Sequence, residues 1–194
     1  MTLCLNDHLD DLGGDVLTLA LASLPAWRRE RAMAYRHEAG RMQCALAYVE
    51  LCRALALRGC CVQRPHFTYN EHGKPMLEEC PDTHFSLSHC SQVVGCLVDS
   101  QPCGLDIERI RPLKPSLINR VMNAKEARCI LASPTPEVEF TRLWTRKEAV
   151  FKLLGTGITD ALPDILTRAH DEGILLHTEV NPARGYVLST ARRP

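Results

Sequence analysis

Ten cysteines occur in this sequence, yet no two stand in C-x-x-C spacing. That excludes a zinc knuckle or a thioredoxin-like redox motif and leaves the cysteines as small, reduced, mostly apolar side chains. Cys44, Cys52 and Cys60 instead recur every eight residues, as buried positions of a helix do. Net charge is also lacking: 23 basic residues meet 23 acidic ones. No overall field therefore draws nucleic acid or anionic lipid. Long apolar runs are missing too. Val16 to Leu24 is too short to span a bilayer, and Asp7, Asp10, Asp11 and Asp15 precede it where a secretory signal carries positive charge. The expectation is a soluble, cytoplasmic protein with neither membrane nor nucleic-acid partners. Repeats and low-complexity segments are absent, and 194 residues suffice for one sizeable core or two small lobes sharing an interface.

What is present is a change of period along the chain. Residues 26–58 are alanine- and leucine-rich at helical spacing, and Gly59 can end that helix. Short strand-like runs follow at 66–70, 84–89, 93–99 and 103–108, separated by turn signals such as "NEHGKP" and "DSQP". Helical spacing returns at 117–132 and 137–155, and two further strands are expected at 173–180 and 186–191. Neither half has residues enough for a comfortable core alone. The order predicts an α+β fold of two packed lobes, residues 1–110 and 111–194, most simply a monomer.

The strand "CGLDIE" places Asp106 and Glu108 on one face, about 7 Å apart at their Cα atoms. Like charges so close repel, and something must offset them. On the helix 137–155, Glu148 and Lys152 share a face one turn apart, beside Trp144. A solvent-exposed Glu–Lys pair is the ordinary meaning of that spacing. With Asp106 and Glu108, however, Glu148 completes a hard-oxygen set suited to Mg²⁺, or to Mn²⁺, and to phosphate substrates. Lys152 would then counter phosphate charge. Ser88 and His89 are adjacent on a strand and face opposite ways, which argues against a hydrolase triad with Asp106.

These residues match a family. "CGLDIE", followed some forty positions later by "LWTRKEAVFK", resembles the two signature motifs of the 4′-phosphopantetheinyl transferases of the surfactin type. "NEHGKP", "HFSLSHC" and "NAKEA" are similar to further segments of that family, in the same order. The resemblance runs over roughly residues 66–158. It implies a pseudo-two-fold α+β fold with the active site between two similar halves. It also implies a reaction: the phosphopantetheine arm of coenzyme A moves to a serine of an apo acyl, polyketide or peptidyl carrier protein, and 3′,5′-ADP leaves. By resemblance, Asp106, Glu108 and Glu148 hold Mg²⁺, Glu148 takes the serine proton, and Lys152 contacts the phosphate under attack. Ser88 and His89 are implied at the 3′-phosphate and Lys74 near the adenine. Arg28, Arg31 and Arg41, from the basic stretch "RRERAMAYRHEAGR", are implied at the cofactor phosphates. Arg109, Arg111, Lys114 and Arg120 are candidates to dock an acidic carrier. Two rival readings are a non-catalytic module binding carrier protein or coenzyme A, and a Mg-dependent nuclease. The nuclease would need an extended basic groove, which the sequence lacks beyond residues 27–41.

Overall fold

The computed structural model describes residues 1–194. The first half contains β1 (Thr2–Asn6), α1 (Gly14–Ser23), α2 (Ala26–Met33), α3 (Glu38–Leu57), β2 (Phe67–Tyr69), β3 (Pro75–Leu77), β4 (His84–His89) and β5 (Val94–Asp99). The second contains β6 (Cys103–Arg109), α4 (Pro115–Val121), α5 (Ala124–Ala132), α6 (Pro136–Leu154), α7 (Ile165–Asp171), β7 (Leu175–Asn181) and β8 (Tyr186–Arg192). One arrangement occurs twice in this α+β fold. A strand is followed by a long helix and then an antiparallel hairpin, and the hairpin's second strand inserts beside the first strand. The two sheets thus have the orders β1-β5-β4 and β6-β8-β7, with α3 and α6 as their long helices. A short ribbon of β2 and β3 completes the first half. No helix is long and apolar enough to cross a membrane.

The two halves share part of their core. Leu97 from β5, Leu105 and Ile107 from β6, and Leu188 from β8 belong to one buried cluster, with Leu3 and Leu5 of β1 packed against it. Strand alternation sends Leu105 and Ile107 into this shared core and leaves Asp106 and Glu108 on the opposite face. A second cluster joins α3 to the first sheet through Leu51, Leu55, Phe85 and Val98.

Three sequence expectations change. The single helix expected over 26–58 is two helices, α2 and α3, interrupted between Met33 and Glu38. There the Arg41 guanidinium donates through Nε to the Tyr35 carbonyl at 3.0 Å, and Gly40 makes room for the Tyr35 ring. The helix expected over 117–132 divides at Asn123. Asn123 Oδ1 accepts from the Glu126 amide and the Glu126 carboxylate accepts from the Asn123 amide, each at 2.9 Å, a capping box that starts α5 afresh. Finally, the lobe limit expected after residue 110 assigns residues 103–109 to the first half. Yet β6 pairs along its whole length with β8, from Cys103 opposite Arg192 to Arg109 opposite Tyr186. Neighbouring strands in the chain need not be ladder partners: this ladder joins residues 77 to 89 positions apart, and the entropic cost of closing so long a loop grows only slowly with its length.

Gly104 decides how closely α6 approaches β6. A Cβ there would collide with the Ala149 carbonyl and stand 2.6 Å from the Leu153 amide, both backbone atoms of α6 that cannot yield. Gly104→Ala is expected to destabilise the fold by about 3 kcal/mol or more. Urea unfolding would measure it; an unchanged midpoint would mean that α6 packs elsewhere.

Candidate active site

The edge strands β4 and β6 belong to different sheets but lie against each other. Their seam is made by side chains. The Ser86 hydroxyl accepts from the Leu105 amide at 2.9 Å, and the Ser88 hydroxyl accepts from the Ile107 amide at 3.0 Å. Two serines two residues apart present their hydroxyls on one face of β4. There they stand in for the carbonyls of an ordinary ladder, and interposing them keeps the two edges apart.

Asp106 sits on this seam and is buried. Its Oδ1 accepts from the Ser88 hydroxyl at 3.1 Å and from Lys152 Nζ at 2.7 Å, while Lys152 also donates to Ser88 Oγ at 3.0 Å. Lys152 is thus the cation that offsets the acidic strand, and the simple Glu148–Lys152 pair expected on an exposed helix does not form. Asp106 Oδ2 is buried with no hydrogen-bond partner. Glu108 Oε1 accepts from Trp144 Nε1 at 3.3 Å. Burial, then the charge of Asp106, pushes the Glu148 carboxyl up to about 7 and raises Glu108 as well. The three acids border the same strand–helix contact, but their side chains are not drawn together into a metal-holding group.

Cavities open on both sides of these acids. One of about 260 Å³ is lined by Lys74, Phe85, Ser86, Glu148, Phe151 and Lys152. It shares Gly73, Pro75 and Leu87 with a cavity of about 190 Å³ that contains Arg28, Arg31, Tyr35, Tyr69 and His89. Arg28 is buried and has no carboxylate partner. It donates from Nη2 to the Cys44 carbonyl at 3.0 Å, lies over the Tyr48 and Phe67 rings, and leaves Nε buried and unpaired. A buried guanidinium without an anion is incomplete, and a phosphate would complete it. Burial, then the Lys152 charge, holds the His89 imidazole below its ordinary pKa. On the other side, Glu108 and Trp144 border a groove of about 500 Å³ together with Arg109, Arg111, Lys114 and Phe140.

The structure therefore brings Asp106, Glu108, Glu148 and Lys152 together, and separately Arg28, Arg31 and His89. Three other candidates take structural positions around these groups. Ser88 faces the opposite side of β4 from His89, and its hydroxyl is fully engaged at the seam. Arg41 lines neither cavity on that side. Lys74 lines the larger one, but its ammonium donates to the Leu153 and Cys103 carbonyls at 3.1 and 3.4 Å. With Asn70, which donates to the Gly155 carbonyl at 2.8 Å, it caps the C-terminus of α6. Lys147 carried no assigned role in the sequence. It is completely buried and bonded to Glu126 at 2.7 Å and to the Leu162 and Pro163 carbonyls, so it ties α5 and the segment after α6 to that helix. Its lysine-glutamate neighbourhood signalled chemistry, whereas only packing reveals an anchor.

A family model described as the 4′-phosphopantetheinyl transferase superfamily matches residues 102–189. Over 109 residues the chain is 36% identical to 4′-phosphopantetheinyl transferase Sfp of Bacillus subtilis (strain 168), a match covering 55% of this chain and 49% of that protein. It is 37% identical over 109 residues to 4′-phosphopantetheinyl transferase psf-1 of Bacillus pumilus, covering 55% and 47%. Against 4′-phosphopantetheinyl transferase AcpT of Escherichia coli O157:H7 it is 36% identical over 147 residues, covering 73% of this chain and 71% of that protein. The chain spans about half the length of the Bacillus relatives it matches.

The electrostatics generate a test. The folded state binds a proton at Glu148 more tightly than the unfolded chain does, from an ordinary value of 4.5 up to about 7. The associated stability is complete below pH 4.5 and is lost as pH rises through about 7. In chelator, Glu148→Gln is therefore expected to raise thermal stability at pH 8 by roughly 1–2 kcal/mol after solvent screening, and to leave it unchanged at pH 4.5. A variant less stable than the parent at pH 8 would contradict the crowding of these acids.

Proposed function

The chain belongs to the 4′-phosphopantetheinyl transferase superfamily, and we propose that it transfers the phosphopantetheine arm of coenzyme A to a carrier-protein serine. The observation that carries this reading is the acid–lysine cluster between a cationic cavity and an open groove. Coenzyme A would lie with its 3′-phosphate toward Arg28, Arg31 and His89, and its adenosine between Tyr35 and Tyr69. Its pyrophosphate would then reach Glu148 and Lys152. Ser88, Lys74 and Arg41 support that frame: the first holds the seam, the second caps α6, and the third fixes the α2–α3 joint.

The serine hydroxyl attacks the phosphorus nearer the pantetheine, and the bond from that phosphorus to the bridging oxygen breaks. The products are the phosphopantetheinyl serine and 3′,5′-ADP. Glu148 accepts the serine proton, a task suited to a carboxylate whose affinity for protons is raised by burial and neighbours. Lys152, held in place by Asp106 and Ser88, offsets charge on the transferred phosphoryl group. The unpaired Asp106 oxygen and the all-carboxylate donor set fit a hard divalent cation, so Asp106, Glu108 and Glu148 are the residues that would hold Mg²⁺ or Mn²⁺. Such an ion supplies charge neutralisation at the pyrophosphate. An acidic carrier would meet Arg109, Arg111 and Lys114 at the groove, with Arg120 nearby on α4, and its serine would enter past Trp144. The units 1–99 and 103–194 serve as the two lobes, acting as a cytoplasmic monomer.

Intact-mass measurement of an apo carrier protein incubated with this protein and coenzyme A tests the proposal. A gain of one phosphopantetheine arm with Mg²⁺, and none with EDTA, is expected. Fatty-acid, polyketide and peptide carriers should all be offered; no gain with any of them despite coenzyme A binding would favour a silent binding module. Asp106→Ala should abolish transfer in a folded protein. Lys152→Ala should lower kcat far more than it raises KM. Arg28→Ala should raise KM for coenzyme A roughly tenfold or more, and much less for the 3′-dephosphorylated cofactor. Equal effects on the two cofactors would remove Arg28 from the 3′-phosphate.

A further inference from the structure

Away from the cleft, the sulfurs of Cys60 and Cys80 lie 3.4 Å apart, the one thiol pair within hydrogen-bonding distance. Cys60 follows the end of α3, just after Gly59 turns the chain with φ +72°. Cys80 lies in the connection between β3 and β4. Both are partly exposed, whereas Cys4, Cys44, Cys90, Cys96 and Cys103 are buried. A covalent S–S bond is about 2.05 Å, so closure needs an approach of roughly 1.4 Å, within the reach of side-chain rotation in two irregular segments. Neither segment forms ladder bonds that would resist the adjustment. The hydrogen-bonding contact with Cys60, and then burial, raise the Cys80 thiol pKa.

We propose that Cys60 and Cys80 are a redox modification site, forming a reversible disulfide with small-molecule disulfides as the oxidant. The Cys60 thiolate attacks one sulfur of an external R–S–S–R and expels one thiolate. The Cys80 thiolate then attacks the Cys60 sulfur of the mixed disulfide and expels the second. The two protein thiol protons end on two R–SH molecules, and the external disulfide gains the two electrons that the cysteines lose. The bond closes a 20-residue separation and ties the end of α3 to the β3–β4 connection. Pro75, at the start of β3, lines two cavities of the cleft, so the staple steadies one wall of it from behind. This site stands on thiol geometry and is independent of the transferase reading.

The full-length folded protein, incubated with oxidised glutathione, alkylated and digested, provides the test. The expected result is a Cys60–Cys80 linked peptide, an intact mass lower by about 2 Da, and reversal by dithiothreitol. Oxidation should raise Tm by roughly 5 °C in the parent and leave Cys80→Ser unshifted. Alkylation of both residues in the oxidised folded protein would overturn the proposal. So would linkage that appears only after denaturation, or linkage of Cys80 to the exposed Cys61 instead.

Discussion

The contact among Asp106, Lys152 and Ser88 holds this molecule's working parts in register. It joins a strand of the second sheet, a strand of the first, and the helix that packs on the second. A buried carboxylate needs a partner, because desolvation without one is costly. Lys152 is that partner, so α6 cannot slide along β6 without exposing the charge. Gly104 permits the approach by omitting a side chain where the α6 backbone passes. The serine seam then fixes β4 beside β6, and the lobes meet at an acidic line instead of a continuous sheet.

The far end of α6 is secured from the other lobe. Gly155 turns left-handed at φ +70°, and the Asn70–Lys74 turn fills the space that a side chain there would take. Asn70 and Lys74 satisfy carbonyls that a helix end leaves free, and the lysine charge complements the negative end of the helix dipole. Lys152 lies within this capped last turn. A turn that resembles a cofactor-contacting motif thus also positions the lysine of the acidic cluster.

Electrostatically the cleft is divided. Glu108 and Glu148 are held at raised pKa by burial and by Asp106. Arg28 is a buried cation without an anion. Each half of that imbalance suits a ligand of opposite charge, a divalent cation on one side and a phosphate on the other. A folded state that keeps like charges together gives up stability at that place.

Much of this was legible in the chain. Period changes marked the order of helices and strands, and spacing marked two pairs, Asp106 with Glu108 on a strand and Glu148 with Lys152 on a helix, because local geometry dictates which side chains share a face of one element. Helix limits at Asn123 were readable from a capping box that the longer apolar pattern overrode. Other features have no local signal. That β6 pairs with β8, that Ser88 bridges strands while His89 faces a cavity, and that Lys74 caps a helix some eighty residues away all depend on which elements meet. The sequence by itself determined the chemistry available, since residue type and spacing are local properties. Only the tertiary structure decided which charge neutralises which, because Lys152 reached Asp106 instead of its helical neighbour Glu148, and that choice is made by packing across the two sheets.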